Sequence, residues 1–183
     1  HDVALPRLPV VFCIDRAGIV GNDGATHHGL LDLAFLRPIP NMAIGAPMTA
    51  NDLRQMMRIA KDYDGPIAIR YPRGKSVNRT DLPPIVLGQA VCVKPGKEVA
   101  VLSIGAIGNT VAEAIQSMNI GKRNLFAHYD MRWLKPIDEY ILKEVVENFD
   151  TIVTVEDGMI NGGLGSAGAE YVGNRSASPD DGR

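Results

Sequence analysis

The sequence has little cysteine, and this scarcity excludes a small protein held together by disulfide bonds. Cys13 and Cys92 are the only two cysteines among 183 residues, and each lies inside an apolar stretch. Two distant cysteines cannot build a disulfide framework, and their spacing argues against a zinc site. We therefore expect both thiols to be ordinary core residues.

The sequence also lacks a charge excess and a long apolar run. Nineteen basic residues against 21 acidic ones give a formal net charge of −2, which argues against binding to nucleic acid or to an anionic membrane. The longest apolar runs, residues 8–14 and 99–104, are shorter than ten residues and too short to cross a bilayer or to act as a secretory leader. These features predict a globular, cytoplasmic protein with neither a nucleic-acid nor a membrane partner.

What is present is an alternation of strand and helix patterns. Residues 8–14 are continuously apolar and include β-branched members, which is typical of a parallel strand covered on both faces. After residue 51 the apolar side chains recur at helical spacing, and either Thr49 or Asn51 can cap that helix. Residues 66–71 predict another strand, which a Pro-Arg-Gly segment ends.

The regular patterns are interrupted once, between residues 75 and 87, where Asp-Leu-Pro-Pro marks an extended connection. We predict two α/β units with mainly parallel sheets, residues 1–74 and residues 88–183, joined by residues 75–87 as a linker. At the start of the second unit, two apolar segments flank the turn residues Lys-Pro-Gly-Lys. That arrangement predicts a β-hairpin.

The polar segment DRAGIVGNDGATHHG, residues 15–29, follows the first strand directly. Ligands of α/β folds bind at the carboxyl ends of parallel strands, and the planar fork of Arg16 suits a phosphate or a carboxylate. Asp23 and His27 are four residues apart, so a helix beginning near them would place a carboxylate beside an imidazole. His28 would point in another direction, which favours a structural role for it. The two imidazoles could not easily share a metal, so no metal site is expected here.

Each of these features also has a plainer interpretation. A glycine-rich segment can be only a connection, and Asp23 can be only a helix cap. Arg16 can pair with Asp15 or Asp32 on the surface. Arg70, at the end of a predicted strand, can be an edge arginine with a solvated head.

Three blocks of the sequence nevertheless resemble one enzyme family. Residues 15–29, residues 36–42 (LRPIPNM) and residues 69–74 (IRYPRG) are similar, in order and spacing, to the 1-deoxy-D-xylulose-5-phosphate synthases. These are thiamine-diphosphate enzymes related to transketolase. Residues 129–138 and 153–166 resemble the C-terminal domain of that family. The resemblance implies two transketolase-like three-layer α/β units, the first and the last incomplete: the end of a pyrimidine-binding domain and most of a C-terminal domain.

The resemblance implies a reaction and a set of site residues. The reaction condenses pyruvate with glyceraldehyde 3-phosphate to 1-deoxy-D-xylulose 5-phosphate with loss of CO2, the first step of non-mevalonate isoprenoid (terpenoid) synthesis and a source of thiamine precursor. Arg16 and Arg70 would hold the aldehyde phosphate. Asp23 and His27 would lie close to the reacting carbons. His27 would handle the proton, and Asp23 would orient it or contact the aldehyde hydroxyl.

The resemblance further implies a homodimer that requires thiamine diphosphate and Mg²⁺. The main determinants for both would precede His1, so the cofactor-binding residues stay unassigned and this chain alone is expected to be inactive. Residues 173–183 depart from the family pattern. The sequence is also compatible with two other functions: a transketolase-like transferase that uses a sugar phosphate but not pyruvate, and a non-catalytic dimerisation or interaction module.

Overall fold

The computed structural model describes residues 1–177, with side chains described through residue 174. Strands and helices alternate along nearly the whole chain. In chain order the elements are β1 (Val11–Ile14), α1 (Asp32–Leu36), β2 (Ala43–Gly45), α2 (Ala50–Asp62), β3 (Ile67–Arg70), β4 (Val91–Lys94), β5 (Val99–Ile104), α3 (Ile107–Ser117), α4 (Ile120–Arg123), β6 (Phe126–Asp130), β7 (Trp133–Lys135), α5 (Glu139–Asn148), β8 (Thr151–Glu156) and α6 (Leu164–Ala177).

The strands form two four-stranded sheets with the orders β1-β3-β2-β7 and β4-β6-β5-β8. In the first sheet β3 runs parallel to β1 and to β2, and only β7 is antiparallel. In the second sheet β5 runs parallel to β6 and to β8, and only β4 is antiparallel. The predicted fold, two α/β units with mainly parallel sheets, is confirmed.

Alternating side chains cover both faces of the first sheet. Ile67 and Ile69 pack against Met56 of α2, because successive side chains of a strand point to opposite faces. Ala68, between them, faces Leu33 of α1 on the other side. Thr49 caps α2, since its hydroxyl accepts a hydrogen bond from the Asp52 amide at 3.1 Å. The first unit therefore has three layers: α1, the sheet and α2.

The two units share one apolar core. In the second unit α3 covers one face of the sheet, and α5 and α6 cover the other. Leu102 of β5, Leu142 of α5 and Leu164 of α6 belong to the same buried cluster as Leu33 and Ile44 of the first unit. The strand β7 follows β6 in the chain yet pairs with β2 of the first sheet. These contacts hold the two units together as one body.

The hairpin predicted at the start of the second unit is wrong. The strand β4 pairs with β6, and β5 lies between β6 and β8. The connecting turn crosses the beginning of β6, where a Cβ atom on Gly96 would lie 2.1 Å from the backbone nitrogen of Ala127. The amides of Lys97, Glu98 and Val99 all donate to the Leu125 carbonyl. The turn residues therefore carry the chain over β6 instead of back along β4.

The prediction of two core cysteines is also wrong. Cys13 and Cys92 are both exposed. Each lies on a strand at the edge of a sheet, β1 and β4 respectively. The strand β1, predicted to be covered on both faces, has only exposed and half-buried residues. An apolar sequence pattern does not distinguish a central strand from an edge strand.

The segment of residues 75–87 contains no helix or strand, yet it is packed against both units. Ile85 is buried, and the Arg132 guanidinium donates hydrogen bonds to the carbonyls of Pro83 and Pro84 at 2.8 and 3.2 Å. At the other end of the chain α6 continues through Ala177, and the rest of the tail, residues 178–183, lies outside the described residues. Within residues 1–177, none of the helices has the length and apolar character needed to span a membrane.

Four buried polar groups lie on the α3 side of the second sheet. The hydroxyl of Ser103 is 2.8 Å from Nε2 of His128, and Oδ1 of Asp130 accepts from the Arg132 amide at 3.1 Å. Burial, assisted by the charge of Arg79, lowers the pKa of His128 to about 4. Burial raises the pKa of Asp130 to about 7, and the Asp52 charge acts in the same direction against the opposing effect of Arg132.

These two shifts should have opposite effects on stability. From about pH 4 to about pH 7 folded Asp130 keeps a proton that the unfolded chain releases, so its contribution to stability is lost as pH rises. From pH 6.5 down to about pH 4 the unfolded chain gains a proton on His128 that the folded chain does not, so stability falls as pH falls. Between about pH 4 and 6.5 the two slopes oppose each other.

We therefore expect the free energy of unfolding of Asp130→Asn to fall on acidification, because only the effect of His128 remains. That of His128→Asn should rise on acidification, because only the effect of Asp130 remains. Both changes are relative to the unmodified protein. Urea denaturation of the full-length protein at pH 4.5 and at pH 6.5 measures both slopes. Slopes of the same sign in the two variants would contradict this assignment.

Candidate active site

The polar segment of residues 15–29 is a lobe closed at its base by backbone hydrogen bonds. The Gly29 amide donates to the carbonyls of Arg16 and Gly18 at 3.1 and 2.9 Å, and the Gly18 amide donates back to Gly29 at 2.9 Å. A Cβ atom on Gly29 would lie 2.4 Å from the Arg16 carbonyl oxygen, so only glycine fits there. The lobe contains two short 3-10 turns, Gly21–Asp23 and Ala25–His27.

Within this lobe one carboxylate holds two arginines together. Oδ2 of Asp23 lies 2.9 Å from Nε of Arg16, and both Asp23 oxygens lie 2.5 Å from Nη1 of Arg73. The hydrogen bonds from Arg73 and then from Arg16 hold the pKa of Asp23 below its usual value. Among the described residues, Nη2 of Arg16 and both Nε and Nη2 of Arg73 have no hydrogen-bond partner, so donors remain for an anion.

A cleft of about 590 Å³ opens at this carboxylate. Its wall includes Ile19, Asp23 and Arg73 from the first unit and Asp157 from the second. The second unit packs closely against the lobe here, since a Cβ atom on Gly18 would lie 3.1 Å from the Asp157 side chain. Both units therefore contribute to the cleft.

Arg70 lies beneath the cleft and not on its surface. The residue is 2% exposed, which corrects the plainer interpretation of a solvated edge arginine. Nε of Arg70 lies 2.8 Å from Oδ2 of Asp32, and Nη2 donates to the carbonyls of Gly29 and Asp157. Burial results from the sheet order, since β3 is a central strand.

The two histidines have different surroundings. His27 is exposed, and its Nδ1 lies 3.3 Å from the Thr26 hydroxyl. Nδ1 of His28 accepts a hydrogen bond from the Val20 amide at 3.2 Å, which ties the two sides of the lobe. Within the described residues, no hydrogen bond or ion pair joins His27 to Asp23. The expected juxtaposition depended on an α-helix, and the chain forms a 3-10 turn at that point.

Sequence reasoning missed Arg73. It lies three residues after Arg70 in the same IRYPRG block, beyond the end of β3, and its side chain is 58% exposed. The available signal was its position: a residue just past the carboxyl end of a central parallel strand reaches the ligand edge, whereas one inside the strand is buried. The structure therefore brings Arg16, Asp23 and Arg73 together and separates Arg70 from them.

A larger cavity, about 650 Å³, lies elsewhere, between the segment of residues 75–87 and α3. Arg79, Asn109 and His128 are among its lining residues, and none of the predicted site residues reaches it. We take the smaller cleft as the candidate site, because the anion-binding groups converge there.

The described residues do not form a metal site. Among residues 1–177, no group of three His, Cys, Asp or Glu side chains could hold a metal ion. Mg²⁺ is typically held by carboxylates together with substrate phosphates, and the Asp23 carboxylate is already engaged by two arginines. The described residues therefore do not fit Mg²⁺.

Comparison with known proteins agrees with this architecture. Residues 1–77 match the pyrimidine binding domain of transketolase, and residues 88–178 match the transketolase C-terminal domain. The chain belongs to the transketolase family. Members of this family depend on thiamine diphosphate.

Within the transketolase family, the similar proteins found share one name. A 1-deoxy-D-xylulose-5-phosphate synthase from Bacteroides thetaiotaomicron is 49% identical over 98% of this chain, and one from Parabacteroides distasonis is 48% identical over 98%. The predicted resemblance to this synthase family is confirmed. The chain spans about 28% of the length of the first of these relatives and 29% of the second.

A solved structure shares the arrangement of both units. It is a split-gene transketolase described as an inactive β4 tetramer, 31% identical to this chain with a TM-score of 0.83. The match covers 97% of this chain and 57% of that one.

Proposed function

We propose that this chain is part of a 1-deoxy-D-xylulose-5-phosphate synthase, a transferase that condenses pyruvate with glyceraldehyde 3-phosphate with loss of CO2. The observation that carries the proposal is that Asp23 and Arg73 line a cleft between the two units while Arg16 is paired with the same Asp23 carboxylate, in a chain whose relatives are synthases of that name. Thiamine diphosphate with Mg²⁺, a homodimeric state and a cytoplasmic location belong to the same proposal.

The two arginines fit the phosphate end of the aldehyde. Two guanidinium groups repel each other unless an anion lies between them, and Asp23 supplies that anion. The three unpartnered nitrogen atoms of Arg16 and Arg73 can donate to phosphate oxygens while Asp23 keeps the two forks side by side. Arg70 is expected from the sequence to share this role: its Nε and Nη2 are engaged below the cleft, and its Nη1 has no hydrogen-bond partner among the described residues, so its part in phosphate binding stays a prediction.

A residue of this chain can also donate the proton that the aldehyde oxygen needs. The aldehyde oxygen becomes an alkoxide when the new carbon–carbon bond forms, and it must receive a proton. The exposed imidazole of His27 lies on the same lobe as Arg16 and Asp23, and an imidazole can donate a proton near neutral pH. We assign this donation to His27, and we assign contact with the aldehyde hydroxyl to Asp23.

The direct experiment follows both substrates with the full-length protein. Purified protein, thiamine diphosphate and Mg²⁺ are incubated with pyruvate and glyceraldehyde 3-phosphate, while CO2 release and the sugar phosphate product are measured. We expect both to appear together. Turnover of a sugar-phosphate donor without decarboxylation of pyruvate would indicate another transketolase-like transferase, and no turnover of either donor would overturn the enzyme assignment. Light scattering of the same sample reports whether it is a dimer.

Removal of either arginine that is paired with Asp23 should weaken use of the phosphorylated aldehyde. Each substitution removes charge-assisted hydrogen bonds to the phosphate, so Arg16→Ala and Arg73→Ala should each lower kcat/KM for glyceraldehyde 3-phosphate by roughly ten- to a hundredfold. Use of pyruvate should change less. Arg58→Ala, on the exposed side of α2, is the matched control. An equal loss with unphosphorylated glyceraldehyde would refute the phosphate role of that arginine.

A further inference from the structure

The cavity of about 650 Å³ beside α3 has no part in the reaction proposed above. Three parts of the chain form its walls: Val77 and Arg79 of the segment of residues 75–87, Val93 and Lys94 of β4, and the side of α3 that carries Ala112 and Ile115. Protein cavities that bind small molecules are typically of this size and are lined mostly by apolar side chains. We call it the α3 cavity.

A buried histidine forms part of the wall of the α3 cavity. His128 lies on β6 and is 1% exposed. Its Nε2 lies 2.8 Å from the hydroxyl of Ser103 on β5, whereas its Nδ1 is buried without a hydrogen-bond partner among the described residues. The strand β6 lies between β5 and β4, and β4 supplies Val93 and Lys94 to the cavity. One ring nitrogen is therefore engaged on the β5 side, and the other is left for the cavity on the β4 side.

The unpartnered nitrogen of His128 can serve as either a donor or an acceptor. Burial lowers the pKa of His128 to about 4, so the ring is neutral at pH 7 and carries one N–H and one acceptor nitrogen. The Ser103 hydroxyl can rotate to suit either tautomer. Buried polar atoms of native proteins almost always have a partner. The α3 cavity therefore offers one adaptable hydrogen-bonding position that calls for a bound molecule.

The charges around the α3 cavity balance one another. Arg79 is paired with Asp81 through two hydrogen bonds of 3.0 and 2.6 Å. The ammonium group of Lys94 donates to three backbone carbonyl oxygens at 2.8–2.9 Å. Glu113, an exposed lining residue on α3, has the charge opposite to that of Lys94. The cavity therefore selects neither an anion nor a cation.

The remaining wall of the α3 cavity combines one polar acceptor with apolar surface. The side-chain nitrogen of Asn109 donates to two backbone carbonyls at 2.7 and 3.1 Å, which leaves its side-chain oxygen without a partner among the described residues. Val77, Val93 and Ile115 supply aliphatic surface, from which an apolar ligand displaces water favourably. A heteroaromatic ring fits this wall, because its faces are apolar and its polar atoms lie at its edge.

We propose that the α3 cavity binds an uncharged nitrogen heterocycle whose edge is hydrogen-bonded to Nδ1 of His128. An N–H group of the same molecule can donate to the side-chain oxygen of Asn109, and its faces pack against the aliphatic side chains. None of these residues takes part in the reaction proposed above. Binding can therefore be measured without an enzyme assay, and the inference does not depend on the proposed function.

The test titrates the full-length protein with benzimidazole, an uncharged heterocycle with one N–H and one acceptor nitrogen, by isothermal titration calorimetry. A nitrogen heterocycle can also enter the site of the thiamine pyrimidine, so thiamine diphosphate and Mg²⁺ are kept at saturating concentrations throughout. We expect one binding site per chain with a Kd below about 1 mM, which is reasonable for a ligand of this size.

Matched variants on α3 locate the bound molecule. Ala112 lines the α3 cavity, whereas Ala114 is exposed and lies outside its lining. Ala112→Trp should fill the cavity and abolish binding, and Ala114→Trp should leave the Kd within about twofold. His128→Phe keeps a ring and removes its nitrogens, so it should weaken binding about tenfold or more, the value of roughly one hydrogen bond.

Related probes test the hydrogen bond and the charge without altering the protein. Indole lacks the acceptor nitrogen of benzimidazole, and 1-methylbenzimidazole lacks its N–H. We expect at least one of the two to bind about tenfold more weakly than benzimidazole. The anion 2-naphthoate, of similar size, should also bind about tenfold more weakly, because its charge has no free partner in the cavity.

Four results would overturn the proposal. Absence of benzimidazole binding to the full-length protein would show that the cavity is not a site in the whole molecule. Equal affinity in the unmodified protein and Ala112→Trp would place the bound molecule elsewhere. Equal affinities for benzimidazole, indole and 1-methylbenzimidazole would exclude the hydrogen bond to His128, even if His128→Phe failed to fold. Tighter binding of 2-naphthoate than of benzimidazole would make the cavity an anion site.

Discussion

Replacing His27 by glutamine should slow the aldehyde-dependent step of the reaction by roughly 10²–10⁴-fold, the usual value of a general acid or base. The imidazole is exposed on the polar lobe, and the described residues offer its Nε2 no partner. Glutamine keeps a similar length and polarity but cannot supply a proton near neutral pH. CO2 release from pyruvate should be affected much less, because it precedes the carbon–carbon bond.

The neighbouring histidine provides the control. His28 accepts a hydrogen bond from the Val20 amide through Nδ1, and His28→Asn retains an acceptor close to that position. We expect this variant to slow the aldehyde-dependent step far less than His27→Gln does. Single-turnover measurements on the full-length protein, following CO2 and product separately, distinguish the two steps. A normal aldehyde-dependent rate in His27→Gln, or a larger loss in His28→Asn, would remove His27 from the proton-transfer role.

The fold could be predicted because its signals are local. Residues 66–71 and the helix capped near Thr49 have clear periodicities, and strands alternating with helices imply parallel sheets. Strand pairing was harder, since it depends on contacts between distant residues. Nothing local in the Lys-Pro-Gly-Lys turn indicates that the backbone of Gly96 packs against Ala127, thirty-one positions later in the numbering.

The candidate site was predicted in part for a similar reason. The lobe of residues 15–29 is recognisable from its composition and its place after a strand; Asp23 lines the cleft, and Arg16 is paired with it. Arg70 and Arg73 are only three residues apart, and the difference between a buried donor and an exposed one arises from the central place of β3 in the sheet. The Asp23–His27 spacing required an α-helix, whereas the glycines favour tight turns.

Strand β7 joins the second half of the chain to the first sheet, so replacing its buried tryptophan should strongly destabilise the protein. Trp133 is 0% exposed and packs in the cluster that contains Met56, Ile67 and Ile69. It lies opposite Gly45 of β2, where a Cβ atom would come within 2.7 Å of the indole ring. Trp133→Ala removes the largest side chain of this cluster and should lower the free energy of unfolding by about 3–5 kcal/mol.

A double-mutant cycle tests the contact between Gly45 and Trp133 directly. Gly45→Ala alone should destabilise the protein by about 1–3 kcal/mol, since the added methyl group overlaps the indole. In the presence of Trp133→Ala the same methyl group enters the vacated space, so its cost should vanish or reverse. Tyr140→Ala, at a residue 76% exposed on α5, controls for the loss of an aromatic ring and should change stability by less than about 0.5 kcal/mol. Urea denaturation of the full-length protein measures all four variants. Additive costs for Gly45→Ala and Trp133→Ala would show that the indole does not press on β2, and the attachment of the second half of the chain to the first sheet would then require another explanation.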